Sequence, residues 1–298
     1  MSESVAVAVP RKGRPLEAIL DRLATVAGAE SLADGVSSTL RYEKAITKGE
    51  AEPDRDVYAR LAAYSDPDTQ AAPEYTVYRD DRPGFPRRIV FDSARIEVDG
   101  VPLRLVGREE PFRALRTHEF ALGFDSADLV LEEVVSLQPD GIGSLAAVND
   151  RIDPRETDVR VATGLGDTVY HTLLATPETV PPGTSLDRSF LRGYAGELCI
   201  SPRYERLVAA VLGTETVREL EFTFANGDRE EERAIAEAGL GVYLTVTGGT
   251  AREHGLVVGE QLFPSETVLL RNVAERSPEV ERAEELLSGP TPGTELRI

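Results

Sequence analysis

A segment near the C-terminal end of the sequence combines residue types that suit the binding of a phosphate group. Residues 244–256 read LTVTGGTAREHGL, so a β-branched strand leads into Thr247, Gly248, Gly249 and Thr250 and then into a predicted helix. Two glycines allow the backbone to approach a ligand closely, and threonine hydroxyls with free N–H groups at a helix start suit a phosphate. An ordinary strand-to-helix turn capped by threonine is the alternative interpretation.

A second segment concentrates positive charge directly after the first predicted strand. Residues 10–14 read PRKGR and place Arg11, Lys12 and Arg14 on one short turn of an otherwise acidic chain. A turn that follows a parallel strand lies at the carboxyl edge of the sheet, where open α/β folds bind their ligands. These cations therefore suit an anionic substrate, and a solvated basic turn without a ligand is the alternative.

Other residue types that could carry chemistry have simpler interpretations. His118, His171 and His254 are far apart and have no carboxylate at ligand spacing, so we interpret them as structural or surface residues and predict no metal site formed by the protein. Cys199, the single cysteine, is typical of a small buried apolar residue. The acidic run over residues 228–232 is interpreted as a solvated helix face.

Composition restricts the class of protein. The chain has 298 residues, 41% of them apolar, and a formal net charge of −19, so it is an ordinary folding chain without an electrostatic case for binding nucleic acid or an anionic membrane. No apolar run approaches the roughly 20 residues of a membrane helix, and the N-terminus lacks the features of a signal peptide. One cysteine excludes an internal disulfide. We therefore expect a cytoplasmic protein.

The elements that must position these residues alternate between short apolar strands and helices. Residues 5–9 and 242–246 predict strands that lead into the basic and threonine turns, and residues 16–26 and 280–287 predict helices. Such alternation is typical of an α/β fold with mostly parallel sheets.

The middle of the chain is less regular. The predictions there are a weak pattern over residues 28–88 with a short helix near 57–63, strands over 134–137 and 144–148, a helix over 168–174, and a long loop over 176–196.

Five segments in order resemble ATP phosphoribosyltransferase, the first enzyme of histidine biosynthesis. VAVPRKGRPLEAIL resembles the family's opening strand and basic turn, and TGGTAREHGL resembles its phosphate turn. Between them, ALGFDSADLVLE at residues 121–132, RVAT at residues 160–163, and the pair Gly227 and Glu230 match further family segments.

This resemblance implies a two-lobed α/β fold similar to type II periplasmic solute-binding proteins, with a central cleft. Lobe I is expected to comprise residues 1–142 and 256–298, and lobe II residues 143–255 with the phosphate turn.

The resemblance also implies a reaction. Phosphoribosyl pyrophosphate (PRPP) would bind with its 5′-phosphate on Thr247, Gly248, Gly249 and Thr250, and Mg²⁺ would accompany its pyrophosphate. A nitrogen of ATP, or of another base or amine acceptor, would displace pyrophosphate from C1 of the ribose. Such a leaving group mainly needs positioning and neutralisation. The implied catalytic residues are Lys12, Arg14 and Glu230, and further cleft candidates are Asp128, Thr163, Tyr243 and Arg252.

The sequence departs from the family at positions that affect the acceptor. Tyr243 stands where the family usually carries an aspartate, and Asp125 and Ser126 replace a Thr-Gly pair. Extra residues occur around 28–88 and 177–196. These departures leave open an acceptor other than ATP.

Two other classes of protein also stay open. The same fold serves small-molecule binding without turnover, and the chain could be a non-catalytic or regulatory subunit of another transferase. Short-form relatives work with a partner subunit that resembles a tRNA synthetase, so a partner subunit is an alternative to the expected homo-oligomer. No nucleic-acid or membrane partner is expected.

Overall fold

A computed structural model describes residues 4–65, 72–79, 87–137, 142, 144–225 and 231–289. Within these residues the chain forms two units, each built on its own β-sheet. Unit 1 takes in the chain up to Ser126, Pro154–Gly166 and the chain from Thr267, and unit 2 takes in Ala127–Asp153 and Asp167–Glu266. The two boundaries expected from the sequence, near residues 142 and 255, both lie within unit 2.

The elements are numbered in chain order. The strands are β1 (Val5–Pro10), β2 (Glu74–Tyr78), β3 (Arg88–Val98), β4 (Val101–Arg108), β5 (Leu122–Ser126), β6 (Val159–Gly164), β7 (Val169–Ala175), β8 (Gly196–Ile200), β9 (Leu220–Phe224), β10 (Leu240–Thr245), β11 (Val257–Ser265) and β12 (Thr267–Asn272). The helices are α1 (Arg14–Ala27), α2 (Glu30–Lys48), α3 (Val57–Tyr64), α4 (Pro111–Arg116), α5 (Ala127–Glu133), α6 (Leu145–Asp150), α7 (Arg188–Leu191), α8 (Glu205–Leu212), α9 (Thr214–Val217), α10 (Glu231–Ala238), α11 (Gly249–Glu253) and α12 (Pro278–Ser288).

Unit 1 contains a seven-stranded sheet in the order β2-β3-β4-β1-β5-β12-β6. β1 lies in its middle and pairs in parallel with β4 and β5, because its run of Val7, Ala8 and Val9 is apolar on both faces and fully buried. α1, α2 and α12 contribute apolar side chains to the same core as the sheet. The basic turn after β1 is thus anchored on the centre of unit 1.

Unit 2 contains a five-stranded sheet in the order β11-β7-β10-β8-β9. β10, the central strand, pairs in parallel with β8 and antiparallel with β7. Leu174, Cys199 and Ile235 pack together in a core between this sheet and α10. The threonine turn therefore follows the central strand of the sheet, which is paired on both sides.

The prediction of mostly parallel sheets requires correction. Of the ten strand pairings within the described residues, four are parallel and six are antiparallel. One reason is a hairpin between β3 and β4, where Asp99 (φ 45°) and Gly100 (φ 79°) form a two-residue connection. An Asp-Gly pair with both residues at positive φ is typical of a type I′ hairpin turn. The short apolar strands around it look the same in sequence whichever way they run.

Several element predictions are confirmed and others are wrong. The strands over residues 5–9 and 242–246 and the helices over 16–26 and 280–287 are confirmed by β1, β10, α1 and α12. The predicted helix over 168–174 is instead β7, a nearly continuous buried strand between β10 and β11.

The segments around residue 140 also differ from their predictions. The strand predicted over 144–148 is α6, whose first N–H groups are capped by Ser144, because its Oγ accepts from Ala147 N at 3.1 Å. The strand predicted over 134–137 contributes only an isolated antiparallel bridge between Val135 and Ile152. Short apolar runs do not distinguish helix from strand by periodicity alone.

The weakly patterned region over residues 28–88 contains a long helix that sequence reasoning missed, α2, together with the predicted short helix, α3. The two helices are joined by a buried ionic network around Glu43, which is 1% exposed. Its carboxylate accepts hydrogen bonds from Arg60 Nε at 2.8 Å, Arg60 Nη2 at 3.0 Å and Tyr64 Oη at 2.9 Å. The hydrogen bond to Glu43 raises the pKa of Arg60, and burial with the same carboxylate raises the pKa of Tyr64. Glu43 therefore fixes α3 to α2.

Among the residues that the structure describes, no helix is both long enough and apolar enough to span a membrane.

Candidate functional site

The threonine turn connects β10 to α11 in unit 2. β10 ends at Thr245 and α11 begins at Gly249, and the side chains of Thr247 and Thr250 are exposed. The first N–H groups of a helix have no partner within the helix. Gly249 N–H donates to Thr247 Oγ1 at 3.4 Å, so the N–H groups that follow it and the hydroxyl hydrogens of Thr247 and Thr250 are the donors that suit an anion.

Gly248 is required by the geometry of this turn for two reasons. Its backbone is left-handed (φ 69°), a conformation that L-residues adopt at a cost. A Cβ at this position would also lie 2.9 Å from Val258 Cγ2 on β11. The adjacent Gly249 has a negative φ, and its nearest atom to an added Cβ is Thr247 Oγ1 at 3.5 Å. The first of the two glycines therefore sets the path of the turn.

Arg252 braces the turn from α11. Its Nη1 donates to the carbonyl oxygen of Thr247 at 2.9 Å, and its backbone N–H donates to that of Gly248 at 3.1 Å. Because a guanidinium carries five N–H donors, this bracing leaves further donors for a ligand. The structure thus places this predicted binding residue beside the turn.

Tyr243 lies on β10, four residues before Thr247. Its hydroxyl donates to Glu231 Oε2 at 3.4 Å, at the start of α10. Glu230, the predicted catalytic carboxylate, and its partner in the motif, Gly227, lie outside the described residues. Sequence reasoning missed Glu231, because it was grouped with the acidic run. The structure puts a carboxylate next to the residue that replaces the family's aspartate.

In unit 1 the basic turn meets two carboxylates. β1 and β4 are parallel and paired up to Pro10 and Arg108, so Glu109 emerges beside the turn. Lys12 Nζ lies 3.7 Å from Glu109 Oε2, and Arg11 Nη1 lies 3.3 Å from Asp92 Oδ1. Sequence reasoning missed Glu109. Its place beside the basic turn follows from the pairing of β1 with β4, because the carboxyl ends of parallel strands lie at the same edge of a sheet.

Lys12 also contacts an aromatic ring. Its Nζ lies 4.3 Å from the centroid of Tyr78 at the end of β2, and its side chain remains 35% exposed. A cation–π contact of this kind fixes an ammonium group while leaving it accessible. Arg14 is the first residue of α1, directly after Gly13 (φ 82°), and Thr163 lies on β6. These predicted site residues all belong to unit 1.

Asp128, a predicted cleft residue, is buried in unit 2. It is 1% exposed, and its Oδ2 lies 2.8 Å from Nε2 of His171, which is 3% exposed. The imidazole stacks on Phe263 with ring centroids 4.3 Å apart and meets the edge of Tyr204 at 4.7 Å. The carboxylate therefore holds a histidine within an aromatic cluster.

We find no group of three or more His, Cys, Asp or Glu side chains arranged to hold a metal ion in the described ranges. His118 lies in unit 1 with Nδ1 2.9 Å from Glu275 Oε1, and His254 directly follows α11.

Cys199 is 3% exposed in β8, and burial raises the pKa of its thiol above the usual value. The buried thiol is therefore less acidic and less accessible than that of an exposed cysteine. We expect iodoacetamide at pH 8 to leave the folded chain unlabelled. Peptide mass spectrometry before and after unfolding checks this result, and rapid labelling of the folded protein would contradict it.

Each unit thus brings together a different part of the predicted site. Unit 2 carries Tyr243, Thr247, Gly248, Gly249, Thr250 and Arg252 in succession along β10 and α11. Unit 1 carries Lys12 beside Glu109, Arg11 beside Asp92, and Arg14 at the start of α1.

Comparison with protein families gives one match. A family described as halobacterial ATP phosphoribosyltransferase matches residues 1–298. No curated protein matches the chain.

Solved structures give distant likenesses. The ATP phosphoribosyl transferase (HisG:HisZ) complex from Thermotoga maritima is similar with 13% identity and a TM-score of 0.41, over 94% of this chain and 92% of that one. A periplasmic substrate-binding protein of an ABC transporter from Coxiella burnetii is similar with 9% identity and a TM-score of 0.40, over 96% and 92%. The ancestral amino acid-binding protein AncCDT-1 is similar with 12% identity and a TM-score of 0.38, over 63% and 71%.

Proposed function

The chain belongs to the halobacterial ATP phosphoribosyltransferase family, and on this basis we propose that it transfers the phosphoribosyl group of PRPP to N1 of the adenine ring of ATP, with release of pyrophosphate. The observation that carries the proposal is the turn after β10, where the left-handed Gly248 sets exposed threonine hydroxyls beside the start of a helix. This arrangement suits the 5′-phosphate of PRPP.

The donor phosphate would be held by Thr247 and Thr250 through their hydroxyls and by the N–H groups at the start of α11. Arg252, which already braces Thr247, would add a guanidinium N–H to the phosphate oxygens. Hydrogen bonds from ionised or strongly polar donors to phosphate are short and strong. They fix the position of the ribose whose C1 reacts.

The basic turn of unit 1 would neutralise a second anionic group, either the pyrophosphate or the phosphates of the acceptor. Lys12 has the clearest role, because Tyr78 and Glu109 hold its ammonium in place. Fixed cations that face developing charge lower the barrier without reorganising during the reaction. Proximity of the two substrates supplies the other large contribution.

Mg²⁺ fits the chemistry of these residues as a substrate-borne ion. It prefers oxygen ligands, keeps several waters and is usually bound by one or two carboxylates together with substrate phosphates. The half-exposed carboxylates of Asp92 and Glu109 could hold it through water beside the basic turn. When bound, the ion would neutralise charge on the pyrophosphate.

The proposal predicts that PRPP binds to the turn and that turnover follows when ATP is added. Thr250→Val should weaken PRPP binding about tenfold to a hundredfold, because a hydrogen bond to a charged group contributes about 1.5–3 kcal/mol. Calorimetric titration with PRPP and Mg²⁺ and an assay of pyrophosphate release with ATP measure both. Thr25→Val, at an exposed site on α1, is the matched control.

The outcomes of that experiment distinguish transfer to ATP from binding without catalysis, and they test the assignment of the turn. Binding with pyrophosphate release supports transfer to ATP. PRPP binding without release, with ATP and with other bases or amines, would contradict catalysis and favour a binding or regulatory subunit. Equal PRPP affinity of Thr250→Val and the parent protein would contradict the assignment of the turn.

Tyr243 gives a separate prediction about the acceptor. Because Glu231 already supplies a carboxylate 3.4 Å from the Tyr243 hydroxyl, we expect Tyr243→Asp to leave the preference for ATP unchanged. The new charge would repel Glu231, and the kcat for ATP should fall. Competition between ATP and other nucleotides measures the preference. If Tyr243→Asp raises the rate with ATP tenfold or more, Glu231 does not replace the family's aspartate in the parent protein.

We also propose that the transferase is a homo-oligomer in the cytoplasm. Light scattering of the purified chain determines the number of copies. An inactive monomer that gains activity with a second kind of chain would instead identify a partner subunit.

A further inference from the structure

A surface cavity in unit 2 is separate from the residues of the threonine turn. Its volume is about 590 Å³, and its lining consists of Arg188, Arg192 and residues 211–216. None of the turn residues 247–250 lines it. The volume lies within the range of roughly 300–1,000 Å³ that is usual for small-molecule sites.

The two arginines come from the segment over residues 177–196, which has no role in the proposed reaction. This segment is attached firmly to β11. Leu186 O accepts from Glu260 N at 2.8 Å, and the backbone N–H of Arg188 donates to Glu260 Oε2 at 2.8 Å. Gly259 allows the approach, because a Cβ there would lie 2.4 Å from Leu186 O. The arginines therefore sit on a fixed support.

Both guanidinium groups keep unused donors. Arg188 binds Glu260 through Nε at 2.8 Å and Nη2, so its Nη1 has no partner within the part of the chain that the structure describes. The exposed Arg192 guanidinium makes no hydrogen bond or ion pair to a described residue, although it lies close enough to Asp187 to lower the pKa of that carboxyl.

The acidic groups around the cavity are already engaged. Glu260 is paired with Arg188, and Glu215 lies 2.9 Å from Arg218. Asp187 caps α7 and accepts from the N–H groups of Ser189 and Phe190; the hydrogen bonds from Ser189 and Phe190 are the main cause of its lowered pKa. The hydrogen-bond donors that remain for a ligand are therefore those of the Arg192 guanidinium and Nη1 of Arg188.

The rest of the lining suits an organic molecule that carries one anionic end. Val211 and Leu212 contribute apolar side chains to the lining, and Thr214 and Thr216 contribute residues with hydroxyl groups. A guanidinium fork matches the oxygens of a phosphate, and a phosphate monoester carries close to two negative charges at neutral pH. We infer that this cavity is a second anion site, which binds the phosphate end of a small phosphate monoester on Arg192 and Arg188.

The test is calorimetric titration with ribose 5-phosphate as the probe. The parent protein should bind two equivalents per chain, one on the threonine turn and one in the cavity. Arg192→Gln should weaken one of the two sites about tenfold to a hundredfold and leave the other unchanged. Arg203→Gln is the matched control, because this exposed arginine also belongs to unit 2 but does not line the cavity.

Further variants keep the result independent of the proposed function. In Thr250→Val the cavity should still bind ribose 5-phosphate, even if the turn binds no phosphate at all. Arg192→Lys should recover part of the affinity. A titration of Arg192→Gln that superimposes on that of the parent would overturn the inference. Tighter binding of succinate than of ribose 5-phosphate at the Arg192-dependent site would overturn the assignment to phosphate esters.

Discussion

Gly248→Ala is expected to lower kcat/KM for PRPP about a hundredfold, because a displacement of the bound substrate by about 1 Å has an effect of this size. An alanine at this position would have to keep a left-handed backbone, which costs an L-residue about 1–2 kcal/mol, and its Cβ would meet Val258 at 2.9 Å. A shift of the Val258 side chain can relieve the contact, but the backbone strain is relieved by movement of the turn, and its N–H groups and threonine hydroxyls move with it. Steady-state kinetics and calorimetry measure the loss.

Gly255→Ala is the matched control for backbone strain. Gly255 also has a positive φ of 73°, but nothing lies within 4 Å of an added Cβ, and the residue follows α11 instead of preceding it. This variant should lose some stability and keep its affinity for PRPP. If Gly248→Ala and Gly255→Ala bind PRPP equally well, the turn does not hold the donor phosphate.

Glu43→Gln is expected to lower the free energy of unfolding of unit 1 by about 3–5 kcal/mol, the usual cost of removing one partner from a buried ion pair. The side chain of Arg60 would stay buried with its charge uncompensated, and the hydroxyl of Tyr64 would lose a charged acceptor. Chemical denaturation followed by circular dichroism gives the magnitude. Hydrogen exchange of α2 and α3 shows where the loss occurs.

Two variants define the limits of that result. Glu17→Gln breaks an exposed pair with Arg41 at 3.8 Å and should cost less than about 1 kcal/mol. Replacing both Glu43 by Met and Arg60 by Leu should restore most of the stability, because no unpaired charge remains. An effect of Glu43→Gln no larger than that of Glu17→Gln would show that the network contributes little.

The sequence was informative where local pattern alone decides the structure. β1 and α1 follow from an apolar run, a glycine with positive φ and amphipathic spacing, and the threonine turn follows from Gly248 between a strand and a helix. These features involve neighbouring residues. They could therefore be predicted without knowledge of the sheet.

Pairings between distant residues could not be predicted in this way. Glu43 and Arg60 are far enough apart in sequence that their contact depends on how α2 and α3 pack. Glu109 joins the basic turn only because β1 and β4 are parallel and in register. The helix predicted over residues 168–174 failed because β7 is buried on both faces, so that His171 and Thr172 are buried like their apolar neighbours and the sequence shows no polar-apolar alternation.

The position of β12 affects the order in which the protein can be completed during its synthesis. β12 lies between β5 and β6, and β6 has no other neighbour in the described sheet. All described strands of unit 2 have been synthesised once Ser265 is made, whereas unit 1 cannot incorporate β6 until Asn272 has followed. Unit 1, which contains the first described strand, is therefore completed after unit 2. A released chain truncated after Glu266 would contain every described strand of the second sheet and would expose the edge of β5.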